Sequence, residues 1–256
     1  MPFQHKLQAS RFELKFLVDE YCAKGIRDFA RGYLEPDEYA NRQRGNSYVI
    51  ASLYLDNPDL LLYRQTMTGE KNRFKLRIRF YDDNPDHPAF LEIKRRVTDV
   101  VRKERAKVTR EGVQRVLAGA APDQRFLLGK RDDLDSGMAL VNFCDLRDAL
   151  GARGCIYVSY RREAYVSSNS DLIRLTFDRE LMGTPHKQGH GLVLPSAGTH
   201  PEIGNGDFVI LELKFTDRFA GWMRTLVEEF NLERTSVPKY VHCINAMGIK
   251  PGQWDW

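Results

Sequence analysis

Strict two-residue alternation constrains this chain more than any other feature. Large apolar side chains recur at one parity and charges at the other in Arg11–Val18 (RFELKFLV), Phe74–Tyr81 (FKLRIRFY), Phe90–Arg96 (FLEIKRR) and Val100–Val108 (VVRKERAKV). Cys155–Val166 (CIYVSYRREAYV), Leu172–Asp178 (LIRLTFD) and Phe208–Phe215 (FVILELKF) repeat the pattern. Successive side chains of a strand point to opposite faces, so this period reads as β-structure. Ser47–Asp56 (SYVIASLYLD) is a further, more apolar strand, bringing the expected number to about eight.

Helical segments lie between the strands. Asp19 is suited to cap a helix running to Tyr33, with Tyr21, Ile26, Phe29 and Tyr33 on one side. Asn57-Pro58 should open a short helix reaching about Met67, and Thr109 should precede one through Leu117. Asp123–Leu150 reads as mostly helical with a break near Asp135-Ser136-Gly137, and Asp217–Asn231 as an amphipathic helix. Asp82–Pro88 suits a hairpin turn, Ser167–Ser170 another turn, and Gly183–Asp207, with six glycines and three prolines, a long surface loop. Strands that outnumber helices, without βαβ alternation, predict an α+β fold built on an antiparallel sheet or barrel, as one domain over residues 1–256.

The charges matter for where they sit. Net charge is only +4, from 39 basic and 35 acidic residues, too little excess for a protein wrapped in nucleic acid. Aromatic and basic side chains also fall on opposite strand faces, which disfavours stacking of single-stranded bases. Parity places Lys75, Arg77 and Arg79 together, and likewise Lys103, Arg105 and Lys107. Arg11, Glu13 and Lys15 share a face, as do Glu92, Lys94 and Arg96, Arg162 with Tyr160, Arg174 with Thr176 and Asp178, and Glu212 with Lys214.

One reading makes these the solvated outer faces of a sheet packed on one side. Against it, three like charges at i, i+2 and i+4 repel one another unless an anion compensates them. The opposite faces are bulky and aromatic, as in a barrel with helices outside and a polar lumen. Cations in such a lumen suit a chain of phosphates, arginine as a bidentate donor and lysine as a compact charge. The carboxylates Glu13, Glu92, Asp178 and Glu212 either pair with neighbouring cations or hold a divalent metal that bridges phosphate oxygens. Glu212 is the preferred ligand because its strand is otherwise apolar, with Glu13 second.

The remaining motifs are quieter. Four scattered cysteines without a CxxC pair read as buried free thiols, and no P-loop motif occurs. His186 and His190 fall in the glycine-rich stretch, where solvated side chains are expected. The tail Trp254-Asp255-Trp256 fits packing on the body or contacts with other molecules equally well. No apolar run approaches the roughly 20 residues of a membrane span, and the first residues lack a signal-like stretch, so a cytoplasmic location is the default.

Taken in order, the motifs resemble the VTC domain of polyphosphate polymerases, within the triphosphate tunnel metalloenzyme superfamily. They are Arg11–Phe16 (RFELKF), Ser52–Asp56 (SLYLD), Lys75–Tyr81 (KLRIRFY), Leu91–Lys94 (LEIK), Lys103–Arg105 (KER), Tyr160–Tyr165 (YRREAY), Arg174–Asp178 (RLTFD), Leu211–Phe215 (LELKF) and Ser236–Tyr240 (SVPKY). Arg11 stands where the superfamily's cyclase and thiamine triphosphatase branch carries a first glutamate, which favours the VTC branch.

The resemblance implies an antiparallel β-barrel tunnel of about eight strands with helices packed outside, and a Mn²⁺ or Mg²⁺ cofactor. It implies phosphate-gripping roles for Lys15, Arg77, Arg79, Lys94, Arg162, Arg174 and Lys239, with Lys75, Lys103 and Arg105 as further wall residues. Arg77, Arg79, Lys94 and Lys239 would carry catalysis, and Glu212 and, less centrally, Glu13 the metal. The activity implied is transfer of the γ-phosphoryl group of ATP to phosphate or polyphosphate. A triphosphatase and a non-catalytic polyphosphate-binding module remain open beside it. The partners are ATP and polyphosphate or triphosphate, with no nucleic acid, no membrane segment in this chain and room for a membrane-bound partner.

Overall fold

A computed structural model describes residues 11–40, 45–98, 100–129, 133–167, 170–203, 208–216 and 219–254. The expected turn at Ser168-Asn169, the start of the last long helix at Asp217, and Asp255 and Trp256 lie outside them.

Nine strands are present among these residues: β1 (Arg11–Val18), β2 (Glu35–Pro36), β3 (Ser47–Asp56), β4 (Asn72–Phe80), β5 (Ala89–Val97), β6 (Val100–Val108), β7 (Arg153–Ser167), β8 (Ser170–Pro185) and β9 (Val209–Thr216). Six helices accompany them: α1 (Glu20–Ala30), α2 (Leu61–Met67), α3 (Arg110–Leu117), α4 (Leu134–Leu150), α5 (Gly221–Glu229) and α6 (Lys239–Ala246). The hydrogen-bonded order is β1-β9-β8-β7-β3-β4-β5-β6, with β2 beside β7. The path ends at β1 and β6, so hydrogen bonds do not close it among the described residues. The α+β class and the antiparallel arrangement are as the alternation predicts. No helix among the described residues is long and apolar enough to cross a membrane.

The chain divides into two compact units. The first holds residues 1–47, 162–179 and 204–237. Here β9 pairs antiparallel with β1, from Arg11↔Thr216 to Val18↔Val209, and with β8, from Ile173↔Phe215 to Asp178↔Ile210. This register puts Phe16, Leu175, Phe177, Leu211 and Leu213 on one side of the ladders, where they meet Ile26 of α1 and Leu226 of α5. Glu13, Lys15, Thr176 and Glu212 are left on the other side. Asp19 caps α1 as expected, accepting the Cys22 amide N–H at 2.7 Å, but the α-helix ends at Ala30 and turns beyond it.

The second unit holds residues 48–161, 180–203 and 238–256. Its antiparallel ladder β3-β4-β5-β6 packs Leu53, Leu76, Ile78, Leu91, Ile93 and Ala106 into one core with Phe143 of α4. α2 begins at Leu61, later than Asn57-Pro58 suggests. The Asp56 carboxylate accepts the amide N–H groups of Asn57, Leu62 and Tyr63 at 2.8, 3.0 and 2.9 Å, and these bonds fix the first turn. α4 starts where a break was expected, because Asp133 accepts the Ser136 N–H at 3.1 Å and caps the helix there. β8 runs on to Pro185, and Gly183 bridges Thr199, so part of the expected loop is ordered backbone pairing.

Two further sequence expectations need correcting or completing in this unit. His186 is 1% exposed rather than solvated. Its ring fills the space left by the missing Cβ of Gly154 and its Nδ1 lies 3.1 Å from the Tyr157 hydroxyl, while burial pulls its pKa down to about 4. Trp254 is buried and donates its indole N–H to the Pro58 carbonyl at 2.9 Å, so this end of the tail packs inward. Across the whole chain, Cys144, Cys155 and Cys243 are buried free thiols and Cys22 is partly exposed.

Candidate functional site

In the second unit, the charged faces of β4, β5 and β6 are brought into cross-strand rows. One row runs Tyr54–Arg77–Glu92–Arg105, and the next runs Lys75–Lys94–Lys103. Directly opposed side chains in antiparallel strands sit about 4.5–5.5 Å apart at Cβ, so three lysines abreast repel one another.

Glu92, with no exposed surface, is the centre of the first row. Its Oε2 lies 2.6 Å from Arg77 Nη2 and 4.0 Å from Arg79 Nε. Its Oε1 lies 2.8 Å from Lys103 Nζ and 3.1 Å from Arg105 Nε. One carboxylate therefore faces four cations. Burial would raise its pKa, but Arg77, Arg79 and Lys103 outweigh that and hold it well below the usual carboxylate range. Burial of Arg77 is likewise overcome by Glu92, so its guanidinium stays firmly charged. Lys103 goes the other way: burial lowers its ammonium to about 8, Glu92 opposing and Arg105 and Arg77 adding to the fall.

Tyrosines to which the sequence reading gave no role at the site hold these cations in place. Arg77 Nη1 donates to the Tyr54 hydroxyl at 3.1 Å, and the Tyr54 ring stacks on Tyr240 with centroids 4.8 Å apart. The Tyr240 hydroxyl donates to the buried Asp56 carboxylate at 2.8 Å. Arg79 Nη2 donates to the Tyr160 hydroxyl at 3.4 Å, and Lys239 Nζ stands 4.9 Å from the centre of the same ring. Lys239, at the start of α6, is 9% exposed. Parity carried a signal for Tyr54, which faces Arg77 across the ladder; Asp56 and Tyr240 close the SLYLD and SVPKY motifs, but nothing local in the sequence showed that they meet.

The first unit gathers a different set. Glu212 Oε2 accepts from Lys214 Nζ at 2.7 Å and from Arg162 Nη2 at 3.2 Å, while its Oε1 lies 3.4 Å from Lys15 Nζ. Arg162 also makes two parallel bonds to Asp178, each 2.6 Å. Lys15 Nζ is 3.1 Å from Glu13, and Arg174 Nη2 donates to Asp37 at 2.6 Å. Carboxylates and cations are here interleaved.

Glu13 and Glu212 both direct an oxygen at one point, the position of the Lys15 ammonium. Two carboxylates around one cationic centre, with phosphate oxygens and waters to complete the shell, are the donors Mg²⁺ and Mn²⁺ take. Among the described residues no group of three or more His, Cys, Asp or Glu side chains could hold a metal ion.

The sequence from residue 10 to 248 matches the family model of the VTC domain. The chain belongs to the VTC domain family. No curated protein sequence matches it. Among solved structures, this VTC chain is similar to a candidate adenylate cyclase from Bacillus halodurans, with 13% identity, a TM-score of 0.49, and 90% of this chain and 94% of the other covered. It is also similar to the Mimivirus capping enzyme triphosphatase, with 10% identity, a TM-score of 0.34, and 91% and 89% covered.

Proposed function

We propose that this VTC domain is a metal-assisted phosphotransferase of the polyphosphate polymerase type, moving the γ-phosphoryl group of ATP onto phosphate or a growing polyphosphate. The observation that carries the reading is the mismatch around Glu92: one buried carboxylate against the four cations Arg77, Arg79, Lys103 and Arg105. Such an arrangement is stable when a polyanion supplies the missing charge.

In this reading Lys75, Arg77, Arg79, Lys94, Lys103, Arg105 and Lys239 grip phosphate oxygens. Arg77, Arg79, Lys94 and Lys239 carry the stabilisation of charge that develops as the bond between the γ-phosphorus and the bridging oxygen breaks. Phosphoryl transfer depends mainly on positioning and charge stabilisation, so no dedicated nucleophilic side chain is needed. In the first unit Lys15, Arg162 and Arg174 take phosphate oxygens, and Glu212 and Glu13 hold Mn²⁺ or Mg²⁺. Held there, the ion would supply positive charge to offset that of the phosphate oxygens.

Incubating the protein with ATP and Mn²⁺, and resolving products on a gel alongside free-phosphate release, tests the reading. Long chains support the polymerase, and phosphate alone would assign a triphosphatase. If neither forms and polyphosphate still raises the melting temperature, the domain is a binding module. Arg77→Ala and Arg79→Ala should each abolish that rise, and a rise unchanged in both would exclude the basic cluster as the phosphate site.

A further inference from the structure

Thr176 is unlike the charged residues around it. It is fully buried, lies on the charged face of β8, and stands directly opposite Glu212 in the β8–β9 register. Its hydroxyl Oγ1 has no hydrogen-bond partner among the described residues. A buried hydroxyl left without a partner costs stability, and valine would fill the same shape in a strand without that cost. The charged neighbours are engaged with one another: Glu212 with Lys15, Lys214 and Arg162, Asp178 with Arg162, and Arg174 with Asp37.

We propose that the Thr176 hydroxyl belongs to the shell of a divalent cation held by Glu212, as a neutral oxygen bound directly or through a coordinated water. The inference rests on the reading of Glu212 as a metal carboxylate and adds a residue to it. Around Glu212 carboxylates are interleaved with the cations, so this face offers a cation oxygen donors that the Glu92 cluster does not. A carboxylate with a hydroxyl opposite it is a hard-oxygen pair, the kind Mg²⁺ and Mn²⁺ prefer, and the hydroxyl adds no charge to the face.

The test is titration of Mn²⁺ alone into the full chain, followed by the electron paramagnetic resonance of the free ion, with melting temperatures measured without metal. Thr176→Val should melt higher than the unsubstituted protein, since the uncompensated hydroxyl is gone, yet bind Mn²⁺ about tenfold or more weakly. Thr176→Ser should restore binding, and Glu212→Gln should lose it. If Glu212→Gln loses Mn²⁺ while Thr176→Val binds like the parent, the role of Thr176 is overturned and that of Glu212 stands. If the parent binds no Mn²⁺, or Glu212→Gln binds it unchanged, both are overturned. A Thr176→Val protein that melts lower than the parent would show a structural partner for the hydroxyl and overturn the inference as well.

Discussion

The Glu92 cluster and the Glu212 network arise from the same strand pattern and solve opposite electrostatic problems. Around Glu92, four cations share one carboxylate. Around Glu212, the carboxylates Glu13, Asp178 and Glu212 alternate with Lys15, Arg162 and Lys214. The second arrangement interleaves the two signs of charge. The first sets four cations on one carboxylate, and it is this excess, not the presence of arginines and lysines, on which the proposed polyanion site rests.

The largest effect separating the two should come from their central carboxylates. Glu92→Gln leaves four cations crowded around a neutral amide and should cost about 3–5 kcal/mol in urea or thermal unfolding, the usual loss when one partner of a buried pair is removed. The same variant should gain more melting temperature from inorganic triphosphate than the parent does, because the added anion replaces the lost charge. Its acid stability should change too. A carboxylate held below its ordinary pKa contributes stability that is present above about 4.5 and is lost as pH falls toward the folded value, so the parent should lose this contribution on acidification and Glu92→Gln should not. A triphosphate response no larger than the parent's would remove the surplus-charge argument.

Next in size is Glu212→Gln. Lys15 keeps Glu13 and Arg162 keeps its two bonds to Asp178, so the network closes over the loss. A cost of about 1–3 kcal/mol is expected, with little gain from triphosphate alone. If Glu212→Gln proved as costly as Glu92→Gln, the distinction between a matched network and a surplus cluster would fail.

Much of this contrast was legible in the chain before any coordinates. Parity alone put Lys75, Arg77 and Arg79 on one face, and Glu212 stood out as a charge in an apolar strand. What parity cannot give is register. That Lys75, Lys94 and Lys103 stand abreast, or that Glu92 falls between Arg77 and Arg105, depends on how β4, β5 and β6 slide past one another. Long-range partners were equally hidden: Tyr240 reaches Asp56 across 184 residues of sequence, and His186 settles against Gly154 from a stretch whose glycines and prolines read as a solvated loop. The short helix α6 was missed because eight residues give too little periodicity to register, although it delivers Lys239 to its place beside Tyr160.

The smallest effect, and the finest probe of the surplus, is in the pH dependence of anion binding. Desolvation brings Lys103 down to about 8, so its charge is mostly present at pH 7 and mostly gone at pH 9. If triphosphate binds here, it should favour the protonated form, and the bound anion should raise the ammonium pKa again. Affinity should therefore fall as pH rises through 8, by roughly tenfold between pH 7 and 9 if the bound form stays protonated throughout. The terminal phosphate of the ligand titrates in the same range, so the comparison is with Lys103→Arg, whose guanidinium keeps its charge at both pH values while the ligand changes identically. The parent should lose affinity relative to Lys103→Arg across this window. Parallel curves for the two proteins would mean that Lys103 does not sense the anion, and would place the bound phosphates away from the Glu92–Lys103 side of the cluster, toward Arg79 and Lys239.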